Sequence, residues 1–297
     1  MTSNATVGIV GLGLLGHAVA SRLRAAGHTI VGHDVVPGRV KGLEELGGRG
    51  LASATAVADA ADPVLVLLPS LETVEDVILG PRGVLTAGRA GQTVIQMSTI
   101  SPALTERLAR ETEARGRGFL DCPVSGTSLQ VSRGEGMLIV GGDRALAERW
   151  RPLLEAILKS VAYAGGVGQA MFVKLLANML VALHSAAAAE ALAMARRAGL
   201  DPGRVLEILT SGAGSSGMLA LRGPLMVRGE FPPQMKLELF MKDLHLIQEA
   251  AANVGARIPL TEVAERLYGA AYAAGHGGED LSVVVTTLQD EAQRRRG

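Results

Sequence analysis

The sequence predicts an α/β chain: a doubly wound parallel sheet in its first half, an all-helical second half, and one long interdomain helix joining them. Three observations carry this. Short apolar runs rich in β-branched residues alternate with helical patterns as far as residue 163. The first of these runs, TVGIV, passes directly into GLGLLG and then into a helical stretch. Residues 165–199 hold no proline and no glycine between Gly168 and Gly199, so roughly thirty helix-favouring residues form one helix of about two to three times the usual globular length. The boundary that follows divides the chain into domains 1–165 and 166–297.

The chain has 297 residues, enough for two cores, and its 48% hydrophobic and 20% charged content is that of a globular protein. Lys plus Arg and Asp plus Glu both number 29, so no excess charge points to nucleic acid or an anionic membrane, and a small-molecule partner is expected. The single cysteine, Cys122, excludes an internal disulfide and suits a reducing compartment; a cytoplasmic location is expected. The six histidines show no metal-site spacing. The opening residues MTSNATVGIV lack the pattern of a signal peptide. Lys174, Asn178, His184 and Glu190 argue against the long helix as a membrane span.

Element by element, residues 6–10 read as a strand, 14–26 as a helix and 29–33 (TIVGH) as the second strand. Helices over 38–46 and 53–60 lead to PVLVLL at 63–68, a continuous apolar run suited to a strand covered on both faces. Alternation continues with a helix at 72–79, a strand at 93–97, a helix at 102–115 and a strand at 119–123. A strand at 137–140, a helix at 144–158 and a strand at 160–163 extend the same sheet. After the long helix no further strand is expected, only helices over 202–210, 236–254, 259–273 and 280–295. Pro202, Pro224, Pro232, Pro233 and Pro259 are placed at helix starts or in loops. The run Ala186–Ala189 reads equally as a surface for a subunit or domain and as a strong helix-former.

In Gly11-Leu12-Gly13-Leu14-Leu15-Gly16 the first glycine permits a tight turn, the second lets backbone approach a pyrophosphate, and the third lets helix and strand pack closely. Between a strand and a helix this is the signature of a Rossmann dinucleotide domain. Asp34, eighteen positions after Gly16, stands at the end of the second strand, where its carboxylate can accept from ribose hydroxyls and repel a 2′-phosphate. That favours NAD over NADP, with Arg39 near enough to swing across. A simple turn closure by Asp34 is the other reading. Asp121-Cys122-Pro123-Val124-Ser125-Gly126-Thr127 follows a strand, and its Ser-Gly pair offers a hydroxyl and open N–H groups to a carboxylate; as bare sequence it also reads as an ordinary loop. Cys122 reads as a small buried hydrophobe rather than a nucleophile. Lys174 and Asn178, four positions apart, share one face of the long helix and have the look of a site.

Together these residues resemble the β-hydroxyacid dehydrogenases, which include 3-hydroxyisobutyrate, tartronate semialdehyde and 6-phosphogluconate dehydrogenases. GLGLLG, DCPVSG at 121–126, GVGQAMFVKLLAN ending at Asn178, and Lys242-Asp243-Leu244 in FMKDL carry the resemblance, with fainter echoes in LLP at 67–69, MSTISP at 97–102 and GHGGEDLS at 275–282. The resemblance implies hydride transfer between a nicotinamide and the carbon bearing a hydroxyl β to a carboxylate. It implies Lys174 as the catalytic lysine with Asn178 beside it, and Ser125 and Gly126 as the substrate-carboxylate loop. Leu68, Pro69 and Thr99 match positions lining the cofactor, and Lys242 a lysine near the nicotinamide end.

The sequence departs from the family at Thr127 and Ala170, where glycines are usual. Thr127 adds a methyl and a hydroxyl to the expected substrate pocket; Ala170 costs little if it is already helical. As a base Lys174 must be neutral, so its pKa must fall from about 10.4 towards roughly 7 or 8. Burial and a second cation, Lys242, would push that way. The expected partner is a small hydroxy acid or semialdehyde, and the expected assembly a homodimer or homotetramer. Rival readings are a reductase of small aldehydes or imines and a non-catalytic dinucleotide-binding protein.

Overall fold

The computed structural model describes residues 5–294, with side chains to residue 289. The chain forms two compact units, Met1–Lys174 and Leu175–Gly297. Arg295, the last residue of the final predicted helix, and Met1–Asn4 of the opening segment lie outside the described residues.

The first unit begins β1 (Thr6–Val10), α1 (Leu14–Ala25), β2 (Thr29–His33), α2 (Pro37–Glu45), β3 (Arg49–Gly50), α3 (Ala54–Ala60) and β4 (Val64–Val66). It continues with α4 (Leu71–Leu79), β5 (Thr93–Gln96), α5 (Pro102–Glu113), β6 (Gly118–Asp121), β7 (Val124–Ser125) and α6 (Ser128–Ser132). β8 (Met137–Gly142), α7 (Arg144–Ile157) and β9 (Ser160–Gly165) complete it. The strands run in the order β3-β2-β1-β4-β5-β6-β8-β7, with β9 on β8. From β3 to β6 every pairing is parallel. The expected parallel extension differs at β8, which pairs antiparallel with β6 and β7 and parallel with β9. The five-residue α6 is too short for a packed crossover, so the chain returns alongside β6 in the opposite sense.

Both faces of this sheet are buried, and alternate residues divide between two cores. Ile9, Ile30, Leu65, Ile95 and Leu120 enter the core with α1 and α7. Val10, Val31, Val64, Val66, Val94 and Phe119 enter the core with α3 and α5. That division is why the central strands read as unbroken apolar runs. Trp150 of α7 closes one end, its indole N–H donating to Thr93 Oγ1 at 2.9 Å.

Helix α8 (Gln169–Arg197) begins in the first unit and continues into the second. By length and hydropathy alone it is apolar enough to cross a membrane, a test that a buried core helix passes as well. Lys174 and Asn178 are nevertheless 8% and 3% exposed, so polar side chains are buried along it. Ala186, Ala188 and Ala189 are buried within the chain itself, so they pack inside the protein instead of forming an exposed alanine face.

The second unit adds α9 (Pro202–Ser211), α10 (Gly217–Arg228), α11 (Leu237–Asn253), α12 (Pro259–Ala273) and α13 (Val284–Arg294), with an isolated bridge between Lys236 and Asp280. The periodicity of the sequence does not reveal α10, and Pro224, expected at a helix start or in a loop, lies inside it. Gly223 and Pro224 mask its pattern. Ser216 caps it, Leu219, Leu225 and Met226 are buried, and Gly223 lets Leu206 of α9 come so close that a Cβ would meet its Cδ1 at 2.5 Å. Packing overrides propensity there.

Tyr268 of α12 is fully buried, edge-on to Phe240 at 5.5 Å, and its hydroxyl donates to the Ala182 carbonyl at 2.9 Å. Beside these helices Arg222 Nε donates to Asp280 Oδ1 at 3.1 Å, both side chains being under a twentieth exposed. Asp280 also accepts from the Met235 and Ser282 N–H groups. Replacing Asp280 with alanine strands the buried guanidinium, and a loss of about 3–5 kcal/mol is expected in urea unfolding; a loss below about 1 kcal/mol would contradict the burial of the pair.

Candidate active site

The strand order reverses between β1 and β4, and the loops leaving those two strands meet at Gly11. Gly11 has φ +98°, and a Cβ there would stand 2.1 Å from the Leu67 carbonyl oxygen. A Cβ on Gly16 would stand 2.0 Å from the Gly11 carbonyl oxygen. Gly13 has no atom within 4 Å of its Cβ position. The three glycines therefore serve different ends. Gly11 and Gly16 bring backbones together, and Gly13 faces open space at the start of α1, as close approach of a pyrophosphate requires. Gly13 brings no side chain to cap that helix. Leu12 is buried, Leu15 half-buried and Leu14 exposed at the loop tip. The cradle fits a dinucleotide.

Asp34 follows β2 with its side chain 4% exposed. Oδ2 accepts from Leu12 N–H at 2.8 Å and Oδ1 from Val36 N–H at 2.9 Å, while Arg39 Nη1 lies 3.3 and 3.4 Å from the two oxygens. The carboxylate thus closes a turn and also ties the glycine loop to the end of β2. Arg39, half exposed, pairs with that carboxylate.

Leu68, Pro69 and Thr99 belong to the loops after β4 and β5. A side chain that the sequence alone does not single out joins those loops: Ser98 Oγ accepts from Leu68 N–H at 2.8 Å and donates to the Val66 carbonyl at 3.3 Å. Gln96 holds Ser98 in turn, donating to its carbonyl at 2.9 Å and accepting from its N–H. A glutamine ending the apolar run TVIQ was the available signal.

Ser125 ends β7, and Gly126 follows with φ +154°. Gly136 backs the turn; a Cβ there would reach the Ser125 carbonyl oxygen at 2.8 Å. Thr127 caps α6: its Oγ1 accepts from Gln130 N–H at 3.2 Å, and its own N–H donates to Gln130 Oε1 at 2.8 Å. The hydroxyl oxygen and the N–H of Thr127 are both bonded to Gln130, so the departure from glycine has a structural purpose. Cys122 is fully buried, and burial followed by the charge of Asp121 pushes its thiol well above the usual range, consistent with an inert side chain.

Four residues before Ser125, Asp121 ends β6, and its Oδ2 accepts from Met171 N–H at 2.9 Å in the first turn of α8. Ala170, the other departure, is helical and fully buried, and Gly141 of β8 leaves room for it: a Cβ on Gly141 would stand 3.2 Å from the Ala170 methyl. Lys174 comes one turn after Ala170, at the close of the first unit.

In the second unit Asn178 Nδ2 donates to Asp243 Oδ2 at 2.8 Å, and Lys242 Nζ lies 3.3 Å from Asp243 Oδ1. Asp243, 2% exposed, fixes the amide of Asn178 and sets Lys242 beside it. Its part was hidden because the contact spans 65 residues, although it lies inside the FMKDL segment. Among the described residues no group of three His, Cys, Asp or Glu side chains is placed to hold a metal.

Residues 6–165 match the NAD binding domain of 6-phosphogluconate dehydrogenase, and residues 166–288 the NAD-binding domain of NADP-dependent 3-hydroxyisobutyrate dehydrogenase. The 2-hydroxy-3-oxopropionate reductase of Escherichia coli K12 is 35% identical over 95% of this chain and 97% of its own length. The L-threonate dehydrogenase of Cupriavidus necator is 32% identical over 94% of each. The crystal structure of a 3-hydroxyisobutyrate dehydrogenase from Salmonella typhimurium superimposes with a TM-score of 0.87 at 32% identity, covering 95% of this chain and 99% of that one.

The division of labour among the glycines has a direct test. Gly16→Ala drives a methyl into backbone and is expected to lower the thermal midpoint by about 4 °C or more. Gly13→Ala is expected to hold the midpoint and weaken NADH binding about tenfold in a fluorescence titration. Equal effects of the two substitutions on stability would refute the assignment.

Proposed function

Because the chain belongs to the β-hydroxyacid dehydrogenases, we propose that it moves hydride between a nicotinamide dinucleotide and the hydroxyl-bearing carbon of a small β-hydroxyacid, with Lys174 as the proton-transfer group. The observation that carries this is a lysine buried to 8% exposure in the first turns of a helix whose start is hydrogen-bonded to the strand leading into Ser125 and Gly126. The names of the relatives, which include both dehydrogenases and a reductase, support a substrate that is a small hydroxy acid in one direction and its semialdehyde in the other.

Residues of the glycine loop and Asp34 would hold the dinucleotide, with Leu68, Pro69 and Thr99 as further contacts, and the resemblance adds Lys242. When bound, the nicotinamide supplies the hydride acceptor for oxidation or the donor for reduction. Lys174 Nζ takes the hydroxyl proton during oxidation and returns it to the carbonyl oxygen during reduction. One N–H of the Asn178 amide is committed to Asp243, and that grip fixes the orientation in which the rest of the amide can hold the reacting oxygen without adding charge. The Ser125 hydroxyl and the Gly126 N–H receive the substrate carboxylate, and Thr127 holds their loop in shape.

NAD is the preferred cofactor on this reading. A carboxylate at the end of β2, already bonded to the glycine loop, favours ribose hydroxyls and disfavours a 2′-phosphate. Arg39 offsets part of that charge, so the preference is graded.

Two measurements test these roles. Lys174→Ala is expected to bring kcat below about a tenth of wild type while the Kd for NADH stays within about twofold; retained turnover would remove the lysine from its role. The specificity constant for NAD is expected to exceed that for NADP by about tenfold or more, and equal or reversed constants would overturn the cofactor assignment.

A further inference from the structure

Asp121 is fully buried at the end of β6, opposite the buried Gln96 of β5. Burial pushes its carboxyl up to about 7, against the N–H groups of Met171 and Gly168, which favour the anion. A buried carboxyl of this kind needs a reason to be there, and the structure offers one. Helix α8 starts after Gly168, which has φ +84° and no side chain with which to cap the exposed N–H groups of the first turn. Asp121 supplies that acceptor from another strand, at Met171, the third residue of the helix.

Two backbone bonds lie beside it at the helix start. Gln169 N–H donates to the Gly166 carbonyl at 3.2 Å, and Phe172 N–H to the Gly168 carbonyl at 2.9 Å. Gly141 leaves so little space that a Cβ would meet the Gly166 oxygen at 2.7 Å and the Ala170 N at 3.2 Å. These contacts press the helix start against the sheet, and the bond to Asp121 fixes which residue of the turn faces β6. Lys174 follows Met171 by three positions, so its Nζ is carried by the turn that the bond anchors.

We infer that Asp121 is a positioning residue for the reaction: its carboxylate, through the Met171 N–H, sets the register of the first turn of α8 and hence the position of Lys174. The same aspartate precedes Ser125 by four residues, so one side chain ties the carboxylate-receiving loop to the proton-transferring helix within the first unit. The inference rests on the proposed role of Lys174.

The test compares Asp121→Ala, Asp121→Asn and Lys174→Ala in the full-length protein, reading kcat, the KM of the hydroxy acid and NADH affinity by fluorescence. Asparagine keeps an acceptor oxygen for Met171 N–H and removes the charge. Asp121→Ala is expected to lower kcat about tenfold or more with NADH affinity within about twofold, and Asp121→Asn to keep kcat within about threefold of wild type. Should the alanine variant fail to fold, the asparagine variant decides alone: turnover near wild type supports an acceptor role, and turnover below about a tenth overturns it in favour of a need for the charge. A folded Asp121→Ala with kcat near wild type, while Lys174→Ala is inactive, overturns the positioning role and leaves the lysine's role standing. An active Lys174→Ala overturns the reading on which the inference rests.

Discussion

Backbone meets backbone at Gly11, and much of the first unit depends on that approach. The sheet order turns at the boundary of β1 and β4, so two chain segments must leave neighbouring strands in opposite directions over one point. Only a residue without Cβ allows the Leu67 carbonyl so near, and only Gly16 allows α1 to close on the Gly11 carbonyl. Asp34 is bonded to this point from one side through Leu12. Ser98 is bonded to it from the other through Leu68. The dinucleotide cradle is thus a by-product of chain crossing, built from main chain and braced by two buried polar side chains.

What could be read in the sequence follows from the range of the interactions. β1, β2 and α12 show their limits because strand runs, turn residues and caps are local signals; the run PVLVLL marks β4 because both of its faces are covered. Gly16 and Asp34 are legible for the same reason, since each meets backbone within the fold's first βαβ unit; Gly11 is legible through its place in the glycine loop, although its approach to Leu67 lies beyond that unit. α10 was hidden by Gly223 and Pro224, whose poor propensity is overcome by packing on α9 that no local window contains. β3 and β7, two residues each, are too short to show a period.

The residues missed at the candidate site are buried polar groups with distant partners. Ser98 reaches back 30 residues to Leu68, Asp121 forward 50 to Met171, and Asp243 back 65 to Asn178. A lone aspartate or serine in a string of letters reads the same whether solvated or buried. Burial distinguishes them, because an unpartnered polar group in the interior is costly and its partner is therefore informative. The alanines of α8 were open to two readings, a contact surface or a strong helix-former, and only burial shows that Ala186, Ala188 and Ala189 pack inside the chain.

On the proposed role of Ser125 and Gly126 as the carboxylate-receiving loop, the capping of α6 by Thr127 has a consequence for how a ligand is received. With Gln130 bonded to the hydroxyl oxygen and the N–H of Thr127, and Gly126 and Gly136 fixing the turn, the loop is held in one shape by its own bonds. Little conformational entropy is then left to be lost on association, so selection there operates as a rigid template does, by rejecting molecules of the wrong shape and not by folding around the right one.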